Sequence, residues 1–367
     1  MTMKIPFLDL GRGYEALAEE HDASMLAVAR SGAYVLGKNV AALEEAAAAY
    51  LGVDHAVAVG SGTDALHLAL AALEIGPGDE VITTPFTFAA TVEAIEYVGA
   101  QPVLVDIDPD TYNIDPNRIE DAVTEKTRAI LPVHMFGLPA DMQAVTEIAT
   151  RHDLMVVEDC AQSFGAAVDA YRVGSIGTAC AHSFYPTKTL GCLGDGGLIS
   201  TPDAAVDQRL RELRNHGIAA GGEHVRLGFN SRLDELQAAI LLPKLMRIDD
   251  SNDRRRQIAQ HYNEVLLAAG AKTPSEPDGA HHVYGYYTII VDDRDALRAR
   301  LGDAGVATAI YYPKPLHSHE HFSRTCRFGA LGNAEKVAAG CLSLPVFPEM
   351  TDAEAEYVAT TTAALLS

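Results

Sequence analysis

Beyond residue 55 the chain alternates short apolar runs with longer stretches in which apolar residues recur three and four positions apart. The runs at 56–59, 80–84, 102–106, 128–133, 154–158, 179–184 and 196–200 are too short for helices, and glycine, proline or acidic residues bound many of them. Strands buried on both faces read this way. The stretches at 63–73, 87–98, 116–123, 140–151 and 203–214 carry helical spacing. Such alternation predicts an α/β layer with a mostly parallel sheet between helices. Upstream, 14–51 is patterned as helix, with Ala41 to Tyr50 rich in Ala and Glu. Downstream, Ser231 and Asp234 are spaced as a capping box for a helix running to about Lys244, and 247–267 reads as a further helix bridging two units. A strand at 283–291, a helix at 294–304, a strand at 306–312 and a helix at 352–366 follow. The pattern therefore predicts a large domain over 1–246 and a smaller α/β domain over 247–367, without repeats or a low-complexity linker.

Charge narrows the partners. Lys and Arg number 28 against 50 Asp and Glu, a net charge of -22, and that field repels nucleic acid and anionic membrane. An anionic small molecule would need basic residues gathered locally. No apolar run reaches the ~18 residues of a membrane span, and the first residues lack a signal-peptide core. The cysteines at 160, 180, 192, 326 and 341 form neither a CxxC pair nor an even framework, which fits reduced thiols in a cytoplasmic protein.

Candidate chemistry gathers in three places. Ser183-Phe-Tyr-Pro-Thr-Lys188, followed by the glycine-rich 189–197 segment, sets one lysine between a strand and a turn whose glycines admit close approach of a ligand. Alone, such a lysine is a solvated surface residue. The run at 154–158 ends in the acids Glu158 and Asp159, at the sheet edge where open α/β folds bind ligands. Residues 56–70 read as strand, glycine turn and helix, and a helix N-terminus beside the Thr63 hydroxyl suits a phosphate. An imine-forming amine, a carboxylate for a pyridine nitrogen and a phosphate cup are the three requirements of a pyridoxal phosphate site.

The ordered set SGTDAL (61–66), TPFTFAAT (84–91), VVEDCAQSFGA (156–166), SFYPTKTLG..GDGG (183–197) and NSRLDELQAAIL (230–241) resembles the DegT/StrS-type sugar aminotransferases, fold type I pyridoxal phosphate enzymes, over nearly the whole chain. The resemblance implies that Lys188 forms the imine and moves the proton, and that Asp159 rather than Glu158 pairs with the pyridine nitrogen; successive strand residues face opposite ways, so only one of the two can do so. It further implies Gln162 at the phenolic oxygen, Gly62, Thr63 and Ser183 at the phosphate, and Phe88 stacked on the ring. Asn230 corresponds to the residue lent to the neighbouring subunit's phosphate, which implies a homodimer with shared active sites. Arg232 is a candidate for a substrate or donor carboxylate, although a solvated helix-start arginine reads the same way.

Ile310 to His321 resembles the family's substrate-facing loop, with Tyr312, Lys314 and His317 facing the sugar and its phosphates and supplying the missing positive charge. His317, His319 and His321 alternate, but nothing is spaced to complete a metal site with them, so no metal is expected. Cys160, Phe164 and Thr189 stand where many members carry Ala, His and Asn; these departures leave the ionisable set intact. The IPFLDL, TPFTF and YYPKPLH segments look closest to members acting on 3-keto nucleotide sugars, including 3-keto uronic acids, with L-glutamate as donor. Three other readings compete. A sugar dehydratase of the same fold carries His in place of the lysine. A dinucleotide-binding dehydrogenase would use Gly60 to Ala65 as a loose GxGxxA, but Asp79 and Glu80 precede the next strand instead of ending it. A non-catalytic binding or regulatory homologue would bind the cofactor without turnover.

Overall fold

The short apolar runs pair into one eight-stranded sheet. The computed structural model describes residues 3–366, so the first two residues and the last one of the predicted domains lie outside it. In chain order β1 (His55–Val59), β2 (Glu80–Thr83), β3 (Gln101–Leu104), β4 (Thr127–Ile130) and β5 (Met155–Asp159) are followed by a small ribbon, β6 (Ala167–Val168) and β7 (Tyr171–Arg172), then by β8 (Ala179–Ser183) and β9 (Gly197–Thr201). β10 (Ala280–His281) joins the ribbon, β11 (Tyr287–Ile290) pairs with β13 (Cys341–Leu344), and β12 (Arg327–Phe328) completes the main sheet, whose order is β1-β9-β8-β5-β4-β2-β3-β12. Neighbours are parallel except where β9 lies between β1 and β8, antiparallel to both.

Alternate side chains of these strands enter two separate cores, which is why the runs are continuously apolar. Val57, Val59, Val157, Ala181 and Ile199 pack under the helices Gly62–Ala72, Ala90–Tyr97 and Ala204–Leu213. On the other face Ala56, Ala58 and Leu198 meet Lys38–Leu51 and Glu235–Leu245, while Ile82, Ile130 and Val156 meet Met142–Arg151. A further core joins Ile258, Tyr262 and Leu266 of the helix Ile248–Ala268 to β11, β13 and Asp352–Leu366, and it also takes Ile5 from the start of the chain.

Several expectations are corrected by the structure. The 116–123 stretch forms two 3₁₀ turns, Pro116–Arg118 and Glu120–Ala122; Ile119 is its one fully buried side chain, with Ala122 and Val123 only partly covered, and so small an apolar face does not hold a longer helix. Residues 306–312 make only isolated bridges, Val306 with Ile5 and Ala309 with Ser343, since the chain then leaves the small sheet to carry Tyr311 and Tyr312 to the main cavity. The 14–51 pattern breaks into Leu10–Glu15, Ala18–Ser31 and Lys38–Leu51, with Gly32 at φ 70° ending the second of these.

The capping box at 231–234 does not form. Asp234 caps the helix Glu235–Leu245 without a side-chain bond, and the Ser231 hydroxyl instead donates to Asp64 Oδ2 at 2.7 Å and accepts from the Gly60 N–H at 3.1 Å. Glu235 has a different task. Its carboxylate, 1% exposed, accepts from the backbone N–H groups of Gly37, Asn39 and Val40 and from Asn39 Nδ2 at 2.8–2.9 Å. Gly37 has no side chain with which to cap Lys38–Leu51, so a residue nearly two hundred positions away supplies the acceptor. Glu235→Ala leaves those N–H groups buried without partners, and urea unfolding is expected to register a loss of about 2–3 kcal/mol, well beyond a surface substitution.

Candidate active site

The carboxyl ends of β1, β5 and β8 open on one cavity of about 470 Å³. Its first wall is the turn from β1 into the helix Gly62–Ala72. A Cβ on Gly62 would stand 2.6 Å from Ser183 Cβ, and one on Gly197 would stand 2.3 Å from the Ser61 carbonyl oxygen. Glycine is therefore required at both positions for the helix start to lie against the end of β8. Ser61 caps the helix through its hydroxyl, which accepts from the Asp64 N–H at 3.1 Å. The N–H groups of Gly62 and Thr63 precede any intrahelical partner and make no hydrogen bond with a described residue. They form a positive backbone edge beside Ser183.

Lys188 reaches the cavity from the loop between β8 and β9. That loop folds back on itself: the Lys188 N–H donates to the Tyr185 carbonyl at 2.8 Å, and the Cys192 N–H donates to the Phe184 carbonyl at 2.8 Å. Burial pulls the Lys188 ammonium down from its ordinary 10.5 to about 8, with Asp159 pulling the other way. Asp159, at the end of β5 and 4% exposed, is pushed up by burial and held by two donors, Thr91 Oγ1 at 2.8 Å and the Ala161 N–H at 3.1 Å. Because the Thr91 hydroxyl spends its proton on Asp159, its 2.8 Å contact with Thr87 must be donated by the Thr87 hydroxyl.

Glu158, one residue earlier, faces away from the cavity. It accepts from His134 Nε2 at 2.9 Å and from the N–H groups of Gly174, Ile176 and Gly177. Burial penalises its charge, but the bonds from His134 and the backbone outweigh that and bring it to about 2. His134 Nδ1 accepts the Ala140 N–H, so its ring proton sits on Nε2, toward Glu158. Glu158 is thus a saturated structural anion, and Asp159 is the acid that lines the cavity.

Of the residues singled out from the sequence, Gly62, Thr63, Phe88, Asp159, Gln162, Ser183, Lys188 and Tyr312 line this cavity together. Gln162 is fixed by both ends of its amide, accepting from the Phe136 N–H at 2.8 Å and donating to the Tyr312 hydroxyl at 3.3 Å. Phe88 stands at the mouth, 57% exposed, with its ring centroid 6.3 Å from that of Tyr312. Four others lie elsewhere. Asn230 is exposed and accepts from Arg232 Nε at 3.0 Å, and Arg232 also reaches Asn215 Oδ1 at 3.3 Å. Lys314 is exposed outside the cavity, and His317 is buried against Phe328 with Nε2 3.1 Å from Glu335 Oε1. The 310–321 loop therefore brings no cation to the cavity; among the lining residues Lys188 is the only lysine or arginine. His321 turns to Glu96, apart from His317.

Thr87, Thr91, Thr187, Tyr286 and Tyr311, none of them singled out from the sequence, also line the cavity. Thr91 lies in the first turn of Ala90–Tyr97, and Thr87, in the bend before that helix, meets it through a hydroxyl–hydroxyl contact at 2.8 Å that spacing alone does not announce. Tyr286 and Tyr311 come from the C-terminal part of the chain, and no local pattern points them inward.

The sequence model of the DegT/DnrJ/EryC1/StrS aminotransferase family matches residues 15–363. A Geobacillus stearothermophilus protein named as a pleiotropic regulatory protein is 48% identical over 97% of each chain. The UDP-N-acetyl-3-dehydro-alpha-D-glucosamine 3-aminotransferase of Acidithiobacillus ferrooxidans is 45% identical, over 97% of this chain and 96% of its own. The crystal structure of Streptomyces venezuelae DesV in complex with a ketimine intermediate superposes with a TM-score of 0.97 at 42% identity, covering 100% of this chain and 99% of that one.

The depressed lysine has a measurable consequence in the cofactor-free protein. Its folded value of about 8 lies below the unfolded 10.5, so the charge is a burden that is fully present below pH 8 and gone above pH 10.5. Lys188→Met is therefore expected to unfold at higher temperature than wild type at pH 7, with the gap closing by pH 10.5. A gap that stays constant with pH contradicts the burial.

Proposed function

The chain belongs to the DegT/DnrJ/EryC1/StrS aminotransferase family, and from that premise we propose that it is a pyridoxal 5'-phosphate-dependent aminotransferase moving an amino group from L-glutamate to a keto nucleotide sugar, with a 3-keto sugar or 3-keto uronic acid as acceptor. The observation that carries this reading is the convergence of a depressed amine, a buried carboxylate and an unpaired helix start on one cavity. The name of the Acidithiobacillus relative supports the 3-keto position. The Geobacillus relative's name would favour regulation without catalysis, but the intact Lys188 and Asp159 of this chain argue for chemistry.

These residues fit the cofactor. Unbonded N–H groups at Gly62 and Thr63, beside the Ser183 hydroxyl, suit a phosphate dianion. Asp159 suits a pyridinium nitrogen, because a cation there offsets the burial its carboxylate bears. Phe88 offers an exposed flat face for stacking, and Gln162 retains an amide N–H for the phenolic oxygen. When bound, the cofactor supplies the carbon that carries the amino group and the ring that takes up electrons as a Cα proton leaves.

The chain's own residues do the rest. Lys188 anchors the cofactor between turnovers. With the cofactor bound, its Nζ would be the group that holds and moves the donor Cα proton, and an amine poised near pH 8 can both take and return a proton at neutral pH. Asp159, steadied by Thr91 and the Ala161 N–H, keeps the ring nitrogen protonated. Tyr312 meets the sugar at the cavity wall. Lys314 and His317 join it only if the 310–321 loop rearranges on substrate.

Asn230 and Arg232 act in the cavity of a second copy, Asn230 on the phosphate and Arg232 on an acidic group of the substrate, in a homodimer with shared sites. Support comes from their position outside this chain's own cavity and from the apolar surface nearby, where Leu227 is 86% exposed. A cytoplasmic setting accords with five free thiols, four of them buried.

The first test is the visible spectrum of the cofactor-loaded protein. A lysine-dependent band present in wild type, bleached by L-glutamate and missing in Lys188→Ala supports the reading; indifference to every amino donor sinks it. Sharing of sites is tested by mixing. Asn230→Ala is expected to bind the cofactor about tenfold more weakly without unfolding. At a cofactor concentration that leaves Asn230→Ala sites largely empty, hybrids of Asn230→Ala with Lys188→Ala should show more activity than either variant alone, because one of their two cavities carries both lesions and the other none.

A further inference from the structure

Behind the loop that carries Lys188 lies a second, smaller cavity of about 60 Å³. Thr187 and Thr189, the two neighbours of Lys188, line it, and Thr187, Tyr286 and Tyr311 also line the main cavity, so those three side chains form the partition. The partition is aromatic and thin: the Tyr286 and Tyr311 rings lie 4.5 Å apart between centroids. At the far side stands Arg255, from the helix Ile248–Ala268.

Arg255 is 7% exposed, yet its guanidinium makes a single side-chain hydrogen bond, Nη1 to Asn252 Oδ1 at 3.2 Å, and no ion pair with any described residue. The other buried arginine of the chain, Arg214, is paired with Glu44 and the Ala58 carbonyl. Burial lowers the Arg255 pKa to about 10, and the field of Glu349 is all that opposes it. An arginine has five N–H donors in a planar fork and stays charged, so a buried one with a single partner is costly unless an anion completes it. The space beside it admits a carboxylate but neither a sugar ring nor a nucleotide.

We propose that Arg255 and this niche bind a carboxylate of the amino-acid donor, so that the donor is recognised from behind the Lys188 loop and the nucleotide sugar from the open mouth. The assignment rests on the aminotransferase reading and deepens it. Among the described residues that line the main cavity Lys188 is the only lysine or arginine, and it cannot both hold a donor's carboxylate and exchange with its amine, so the cation for that carboxylate has to come from outside the lining. It also gives the two substrates separate anchors: a guanidinium fork for a planar carboxylate on one side, and aromatic rings at the mouth for the larger acceptor.

The experiment compares the two half-reactions in Arg255→Gln and Arg255→Lys. Arg255→Gln is expected to raise the glutamate concentration needed for half-maximal amine loading at least tenfold, while the amine-loaded protein reacts with keto nucleotide sugar within twofold of wild type. Arg255→Lys, which keeps the charge but not the fork, should fall between. Glutarate, a dicarboxylate without an amine, should compete with glutamate in wild type and lose at least tenfold in affinity in Arg255→Gln. Equal losses in both half-reactions would make Arg255 a structural residue, and an unchanged glutamate response would remove it from the site; either overturns the proposal. If wild type transfers no amine, the functional reading fails on its own, and glutarate titration of the cofactor-free wild type and Arg255→Gln still decides whether the niche holds a carboxylate.

Discussion

Two opposite charges share one cavity at the sheet edge, Asp159 buried and Lys188 half-buried, where little solvent is left to carry their cost. Asp159 is raised and Lys188 lowered by the same burial, and each is the largest favourable charge the other feels. Neither is neutralised by a tight ion pair. Asp159 is instead held by a hydroxyl and a backbone N–H, which orient the carboxylate while leaving it able to serve a third group. The arrangement is a stressed one in the free protein, and a cationic ring placed between the two groups would relieve it. Stability is thereby held back at the site so that binding can recover it.

The rest of the fold keeps that cavity in register. β9 runs antiparallel between β1 and β8, which lets the strand delivering Ser183 and the strand preceding Gly62 point the same way while separated by one strand. The helix start then closes on Ser183 because position 62 has no side chain. Ser231 ties the same turn to the beginning of the next helix through Gly60 and Asp64, and Glu235 ties that helix to Lys38–Leu51. A chain of hydrogen bonds thus runs from the cavity wall to the outer helix layer, each link made by residues far apart in sequence.

Chemical division of labour follows from this scaffold. The large sheet provides the acid, the amine and the helix start at its carboxyl edge, whereas residues after 247 contribute the aromatic wall, Tyr286, Tyr311 and Tyr312, and the buried Arg255 behind it. Residues that read as site residues but lie outside the cavity, Asn230 and Arg232, sit near exposed apolar surface. The lining of this chain's cavity holds no lysine or arginine but Lys188, and the shared-site dimer proposed above would bring Arg232 of a second copy to it.

The sheet, its flanking helices and the ionisable set at Lys188 and Asp159 were legible in the chain because they rest on local signals: buried runs with strand length, helical spacing, and glycines where backbone must approach backbone. The resemblance carried by the ordered motifs extended this to Gly62, Thr63, Ser183, Phe88 and Gln162, all of which come together. What the chain by itself left open was settled by contacts between distant residues. Ser231 and Asp234 have capping-box spacing, yet the hydroxyl is taken by Asp64; residues 306–312 are patterned as a strand, yet they follow the aromatic wall instead. Glu158 and Asp159 are adjacent acids, and only the positions of His134, Gly174 and Thr91 decide which is saturated and which faces the cavity. Spacing along a chain specifies which face of an element a residue occupies, while the partner it meets there depends on packing between elements, and that is a property of the tertiary structure alone.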